Sequence, residues 1–127
     1  MSPNQTAAPQ VLIADDQPAV LDALRLLLKE EGWRVVTASR PVEILKAVES
    51  HALDAIVMDL NYARDTTSGK EGLDVLGRVR ALDATLPIVV MTAYGSVQGA
   101  VEAMRRGAAD YIEKPWDDDR LVAILRT

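Results

Sequence analysis

From Val11 onward, short apolar runs alternate with stretches whose apolar residues recur at helical spacing. Val11-Leu12-Ile13-Ala14 is a continuous, β-rich run that ends in charge. Asp16, Gln17 and Pro18 then read as a helix start. Val20, Leu21, Leu24, Leu27 and Leu28 follow as the apolar stripe of that helix, and Gly32 stops it. Arg34–Ala38 is a second strand, after which Ser39 and Pro41 open a helix carrying Ile44, Leu45 and Val48. Asp54–Asp59 is a third strand, followed by a polar loop over residues 61–70 and a third helix marked by Leu73, Leu76, Val79 and Leu82. Pro87–Thr92 is a fourth strand. A fourth helix, capped by Ser96, carries Val97, Val101 and Met104 on one face and ends at Gly107. Ala109–Glu113 is a fifth strand, and Asp117-Asp118-Asp119 puts carboxylates on the positive end of a last helix.

Five strand–helix units in strict alternation predict an α/β fold, a parallel sheet with helices on both faces. Strands one, three and four are near-continuous apolar runs, as strands buried on both sides must be. Strands two and five mix polar with apolar residues and suit the edges. Order 2-1-3-4-5 satisfies both conditions, so the expected architecture is a flavodoxin-like, doubly wound (βα)5 domain.

Composition narrows the function. The 127 residues make one domain, expected over 11–127 behind a flexible tail at 1–10. No cysteine is present, which removes disulfides, thiolate metal sites and cysteine nucleophiles together. With 14 Lys+Arg against 19 Asp+Glu, the formal charge of -5 argues against direct nucleic-acid binding, which needs clustered cations. One histidine excludes a histidine-rich metal cage. Neither a bilayer-length apolar run nor a secretory signal is evident, so the expected location is the cytoplasm, away from membranes.

Open α/β sheets bind ligands at the carboxyl ends of their strands, near the point where strand order reverses. Strand one ends in Asp15-Asp16, strand three in Asp59, strand four in Thr92, and strand five just before Lys114. Two carboxylates roughly 5 Å apart repel by about 3 kcal/mol at an effective dielectric of about 20. A divalent cation removes that cost, and an oxygen-only site suits Mg²⁺. Carboxylates, cation, lysine and hydroxyl together form a phosphoryl-transfer constellation. Asp59, single and central, is the natural covalent nucleophile, while Asp15 and Asp16 are suited to holding metal. Taken singly, an aspartate at a strand end is more often a helix cap or turn residue than a ligand. Jointly, four strand ends supply complementary chemistry.

With these residues in place, the chain resembles a response-regulator receiver domain of bacterial two-component systems over nearly all of Val11–Thr127. The resemblance rests on Asp15-Asp16, Asp59, Thr92-Ala93 and Lys114-Pro115 at their respective strand ends. It implies that a sensor histidine kinase donates a phosphoryl group to Asp59, with Mg²⁺ held by Asp15, Asp16, Asp59 and the backbone carbonyl of Asn61. It also implies a switch. Thr92 moves toward the new phosphoryl group, Tyr111 fills the space it leaves, and the surface of helix four, strand five and helix five repacks. Partners or a second protomer, as in a homodimer, would dock there. The Lys114-Pro115 bond is expected to be cis.

Thr92–Ser96, Ala100–Met104 and Glu113–Trp116 are similar to receivers of sigma-54-dependent transcriptional activators, in which an AAA+ ATPase domain and a DNA-binding domain follow. Arg126-Thr127 falls in a helical stretch without a Gly or Pro stop, so the chain is expected to be the N-terminal part of a longer regulator. One departure stands out. The loop after Asp59 lacks the usual proline and is about five residues longer than in the family. A solvated loop is the plain reading. The sharper one has Arg64 or Tyr62 folding over the site to tune phosphoryl lifetime. Tyr94, two residues beyond Thr92, would tune water access. His51, Asp54 and Asp110 read as surface and turn residues, and Trp33 and Trp116 as packing or rim residues. Two rival functions remain: a phosphorylation-independent docking or dimerisation module, and a haloacid-dehalogenase-type phosphohydrolase. The latter needs its nucleophile in an Asp-x-Asp on the first strand, where this chain has Asp15-Asp16.

Overall fold

The computed structural model describes residues 8–60, 70–92 and 97–126. Five strands and five helices alternate: β1 (Gln10–Ala14), α1 (Pro18–Glu30), β2 (Arg34–Ala38), α2 (Pro41–Ser50), β3 (Ala55–Asp59), α3 (Lys70–Leu82), β4 (Ile88–Thr92), α4 (Val97–Arg105), β5 (Asp110–Glu113) and α5 (Asp118–Arg126). All pairings are parallel and the order is β2-β1-β3-β4-β5. The expected architecture is therefore the observed one. β1, β3 and β4 are buried almost throughout, while β2 and β5 keep exposed positions, as edge strands do.

Strand alternation divides the core in two. Leu12, Ile56, Met58, Ile88 and Val90 pack with Ile44, Leu76, Val79 and Ala103 on the α2–α3–α4 side. Val11, Ile13, Val57, Val89, Met91 and Ile112 pack with Leu24, Leu28 and Leu121 on the α1–α5 side. Trp33 and Trp116 lie partly buried against that second cluster, which bears out their packing role. Asp54 lies in the bend before β3 and accepts the Gln10 N–H at 2.8 Å, whereas Asp110, read as a turn residue, is the first residue of β5, paired with Val89, and accepts the Tyr111 N–H at 2.8 Å.

Several boundaries differ from the sequence reading. The sheet starts at Gln10, within the stretch expected as a tail, and the carbonyls of Ala8 and Pro9 accept bonds from Arg34. α2 takes Arg40 rather than Ser39 as its N-cap. Ser39 instead donates both its N–H (2.7 Å) and its hydroxyl (3.1 Å) to Glu43 Oε1. Those bonds, the backbone one first, hold the Glu43 carboxyl below the usual range. Ser96 lies outside the described residues.

The fourth helix shows the largest difference. Its buried residues are Ala100 and Ala103, whereas Val97, Val101 and Met104 face outward at 67%, 46% and 41% exposure. Leu82 at the end of α3 is exposed as well. Small residues let α4 lie close to the sheet, and its larger aliphatic side chains are left on the outer face. The other end of α4 is fastened by Arg80. Its guanidinium donates to the carbonyls of Leu86 (2.7 Å), Asp83 (3.2 Å) and Gly107 (2.6 Å). Gly107 sits at φ +107°, and a β-carbon there would lie 2.9 Å from Arg80 Nε, so glycine meets both a conformational and a spatial demand.

Candidate functional site

The strand order reverses between β1 and β3, and the candidate residues gather at the carboxyl ends of those neighbours. β1 is followed directly by Asp15, whose N–H continues the ladder to the Ala38 carbonyl at 3.1 Å. Asp15 is fully buried, and its Oδ1 accepts the N–H of Gln17 at 2.9 Å, which fixes the turn into α1. Asp59 closes β3 at 3% exposure and Thr92 closes β4 at 1%. Three polar side chains buried in a core this apolar demand partners or a function.

Lys114 supplies part of the answer. β5 ends at Glu113, and the Lys114 N–H extends its pairing to the Thr92 carbonyl at 2.9 Å. The Lys114–Pro115 bond is cis, as expected. The ammonium lies 2.6 Å from Asp15 Oδ2 and 3.2 Å from Asp59 Oδ2. Burial disfavours the charged amine, but the hydrogen bond to Asp15 and the charges of Asp59 and Asp15 outweigh it. The Lys114 pKa therefore stands above the ordinary 10.5.

Carboxylate oxygens of Asp15, Asp16 and Asp59 all lie within 4.8 Å of one another. Three acids against one lysine leave an excess of negative charge in a nearly closed site. An oxygen-only donor set of this kind fits a hard divalent cation such as Mg²⁺. Thr92 Oγ1 adds a second mark. Among the described residues it is the buried side-chain oxygen that has no hydrogen-bond partner. A hydroxyl left unpaired at a strand end, on the sheet edge that carries the clustered carboxylates, is suited to an incoming oxyanion.

Five residues named from the sequence, Asp15, Asp16, Asp59, Thr92 and Lys114, thus come to one edge of the sheet. Tyr111 pairs with Val90 on β4, two residues before Thr92, so Tyr111 and Thr92 occupy the same face of the sheet. The tyrosine is 38% exposed. Asn61, Tyr62, Arg64 and Tyr94 lie outside the described residues. His51 is exposed at the C-cap of α2, with its Nδ1 3.0 Å from Ser50 Oγ, a surface residue as read. The sequence reading missed the contact that ties Leu60 to α3: the Gly72 N–H donates to the Leu60 carbonyl at 3.2 Å. Gly72 itself, at the start of an apolar stripe, was the available signal.

Comparison with known proteins agrees with this geometry. The sequence pattern of the response regulator receiver domain family matches residues 11–126. The transcriptional regulatory protein FixJ of Bradyrhizobium diazoefficiens is 34% identical, over 96% of this chain and 57% of FixJ. The transcriptional regulatory protein ZraR of Escherichia coli K12 is 35% identical, over 91% of this chain and 25% of ZraR. The chain therefore spans about half the length of the first relative and a quarter of the second. A CheY-like response regulator receiver domain protein from Methanospirillum hungatei superposes with a TM-score of 0.85 at 26% identity, covering 94% of this chain and 92% of that one. With the family pattern matching residues 11–126 and the five-stranded order shared with such a neighbour, the chain belongs to the response regulator receiver domain family.

Proposed function

We propose that this domain accepts a phosphoryl group on Asp59 from the phosphohistidine of a sensor kinase, in a Mg²⁺-dependent reaction. The observation that carries the reading is the position of Lys114 Nζ between Asp15 and Asp59, at the sheet edge where the buried Thr92 hydroxyl has no hydrogen-bond partner. Asp15, Asp16 and Asp59 would hold the cation, with the Asn61 carbonyl as the resemblance implies. The bound ion supplies positive charge for the phosphoryl oxygens. An Asp59 carboxylate oxygen attacks phosphorus, the O–P bond forms, and the P–N bond to the donor imidazole breaks with its electron pair staying on nitrogen. Lys114 neutralises charge on the transferred group, and Thr92 donates a hydrogen bond to it. Water attack on the same phosphorus later returns the carboxylate and releases phosphate.

Thr92 and Tyr111 lie on one face of the sheet, and the exposed Val97, Val101 and Met104 lie on the outer surface of the adjoining helix. Movement of Thr92 toward a phosphoryl group, with Tyr111 following, would alter that surface for an output partner or a second protomer. FixJ and ZraR are transcriptional regulatory proteins. We take transcription as the output, in the cytoplasm, through ATPase and DNA-binding domains of the sigma-54-dependent type.

Intact mass after incubation with acetyl phosphate tests the chemistry. Wild type should gain one phosphoryl group only when Mg²⁺ is present, and Asp59→Ala should gain none. An absent adduct, together with no Mg²⁺-dependent binding of beryllofluoride, would favour the docking module. Sustained turnover of small phosphate esters would instead revive the phosphohydrolase.

A further inference from the structure

α3 contains two glycines with opposite surroundings. A β-carbon built at Gly77 meets nothing within 4 Å. One built at Gly72 would run into the backbone of Leu60, overlapping its carbonyl oxygen and lying 2.5 Å from its Cα and 2.7 Å from its carbonyl carbon. Gly72 needs no unusual backbone angle, since the positive-φ glycines are elsewhere. Space alone requires it. The contact is also polar: the Gly72 N–H, an orphan donor of the first helical turn, is satisfied by the Leu60 carbonyl at 3.2 Å. On its other side, the Leu60 N–H donates to the Met91 carbonyl at 3.1 Å. Leu60 is thus held between β4 and the start of α3, directly after Asp59 and directly before Asn61.

We infer that Gly72 is a positioning residue for the Mg²⁺ site: by admitting the α3 backbone against Leu60, it fixes the backbone that directly follows Asp59. The inference rests on the phosphoacceptor reading above.

The test measures Mg²⁺ affinity by calorimetric titration of wild type, Gly72→Ala, Gly77→Ala and the double variant, at a temperature where circular dichroism shows each folded. Gly72→Ala should weaken Mg²⁺ by roughly tenfold or more, the range seen when groups that orient metal ligands are removed. Gly77→Ala should leave the affinity unchanged while raising the melting temperature, and in the double variant it should restore stability without restoring affinity. Wild-type affinity in folded Gly72→Ala, or equal weakening in Gly77→Ala, would overturn the inference. Hydrogen exchange on the wild type decides the matter if Gly72→Ala does not fold. The Gly72 amide should exchange more slowly when Mg²⁺ is added, because coupling between sites is reciprocal; unchanged exchange would overturn the inference. If wild type takes up no Mg²⁺ at all, the phosphoacceptor reading fails first.

Discussion

Lys114→Ala should unfold at a clearly lower denaturant concentration than wild type when divalent cations are removed with EDTA. The ammonium bridges Asp15, whose side chain is fully buried, and Asp59, whose side chain is 4% exposed. Removing it leaves two buried carboxylates facing each other without the ammonium between them. Breaking a buried ion pair from one side typically costs about 3–5 kcal/mol. The lower figure fits here because the lysine itself retains 23% exposure. Mg²⁺ should recover much of the loss by supplying the missing positive charge. The sign of the pH dependence follows from the raised Lys114 pKa. The folded state holds this proton more tightly than the unfolded one, so the stabilisation is complete below the ordinary 10.5 and declines as pH rises through the higher folded value. Wild type and Lys114→Ala should therefore differ most from neutral to mildly alkaline pH and converge only in strong alkali. Equal stability of the two proteins in EDTA at neutral pH would contradict the ion-pair account.

Asp59→Asn should change stability in the opposite direction. At an effective dielectric of about 20, each carboxylate neighbour within 4.8 Å repels Asp59 by about 3.5 kcal/mol, while Lys114 at 3.2 Å attracts it by about 5 kcal/mol. The two repulsions exceed the attraction to Lys114, so on these charge–charge contributions neutralising Asp59 should stabilise the metal-free domain, by about 2 kcal/mol. For a domain of this size that corresponds to a rise of roughly 5–10 °C in melting temperature. Thermal scans in EDTA would show it. Added Mg²⁺ should narrow or reverse the gap, since wild type gains a ligand that Asp59→Asn holds poorly. A variant that melts below wild type in EDTA would mean that the acidic cluster carries no net repulsion. Stability here is exchanged for function: the carboxylate that destabilises the empty site is the one proposed to react.

Much of this fold is legible in the sequence. The apolar runs Val11–Ala14, Ala55–Met58 and Ile88–Met91 identify central strands because burial on both faces leaves no room for polar alternation. Strand order then selected the reactive edge, and Asp15, Asp59, Thr92 and Lys114 were found there as strand-terminal residues. The face of α4 was not readable in the same way. Hydrophobicity ranks Val97, Val101 and Met104 above Ala100 and Ala103, yet the small pair is what permits close approach to the sheet. A ranking of side chains by apolarity carries no information about how near a helix axis must come. Two long-range contacts were equally hidden. The Arg80 guanidinium reaches carbonyls in two different loops, and Gly72 meets Leu60 across the excursion after β3. Each depends on where separate segments meet, which local pattern does not encode.

The fastening of Gly107 by Arg80 has a mechanical consequence for α4. A rod held at one end can answer a push only by pivoting about that end. At 1.5 Å per residue, a nine-residue helix is about 13 Å long. A tilt of about 10° would leave Gly107 almost in place and carry the opposite end through about 2 Å. The lever arm is longest at Val97, shorter at Val101 and shortest at Met104. A partner that reads the tilt gains most by gripping the tip nearest Thr92, and one that must stay bound in both states does best near the pivot.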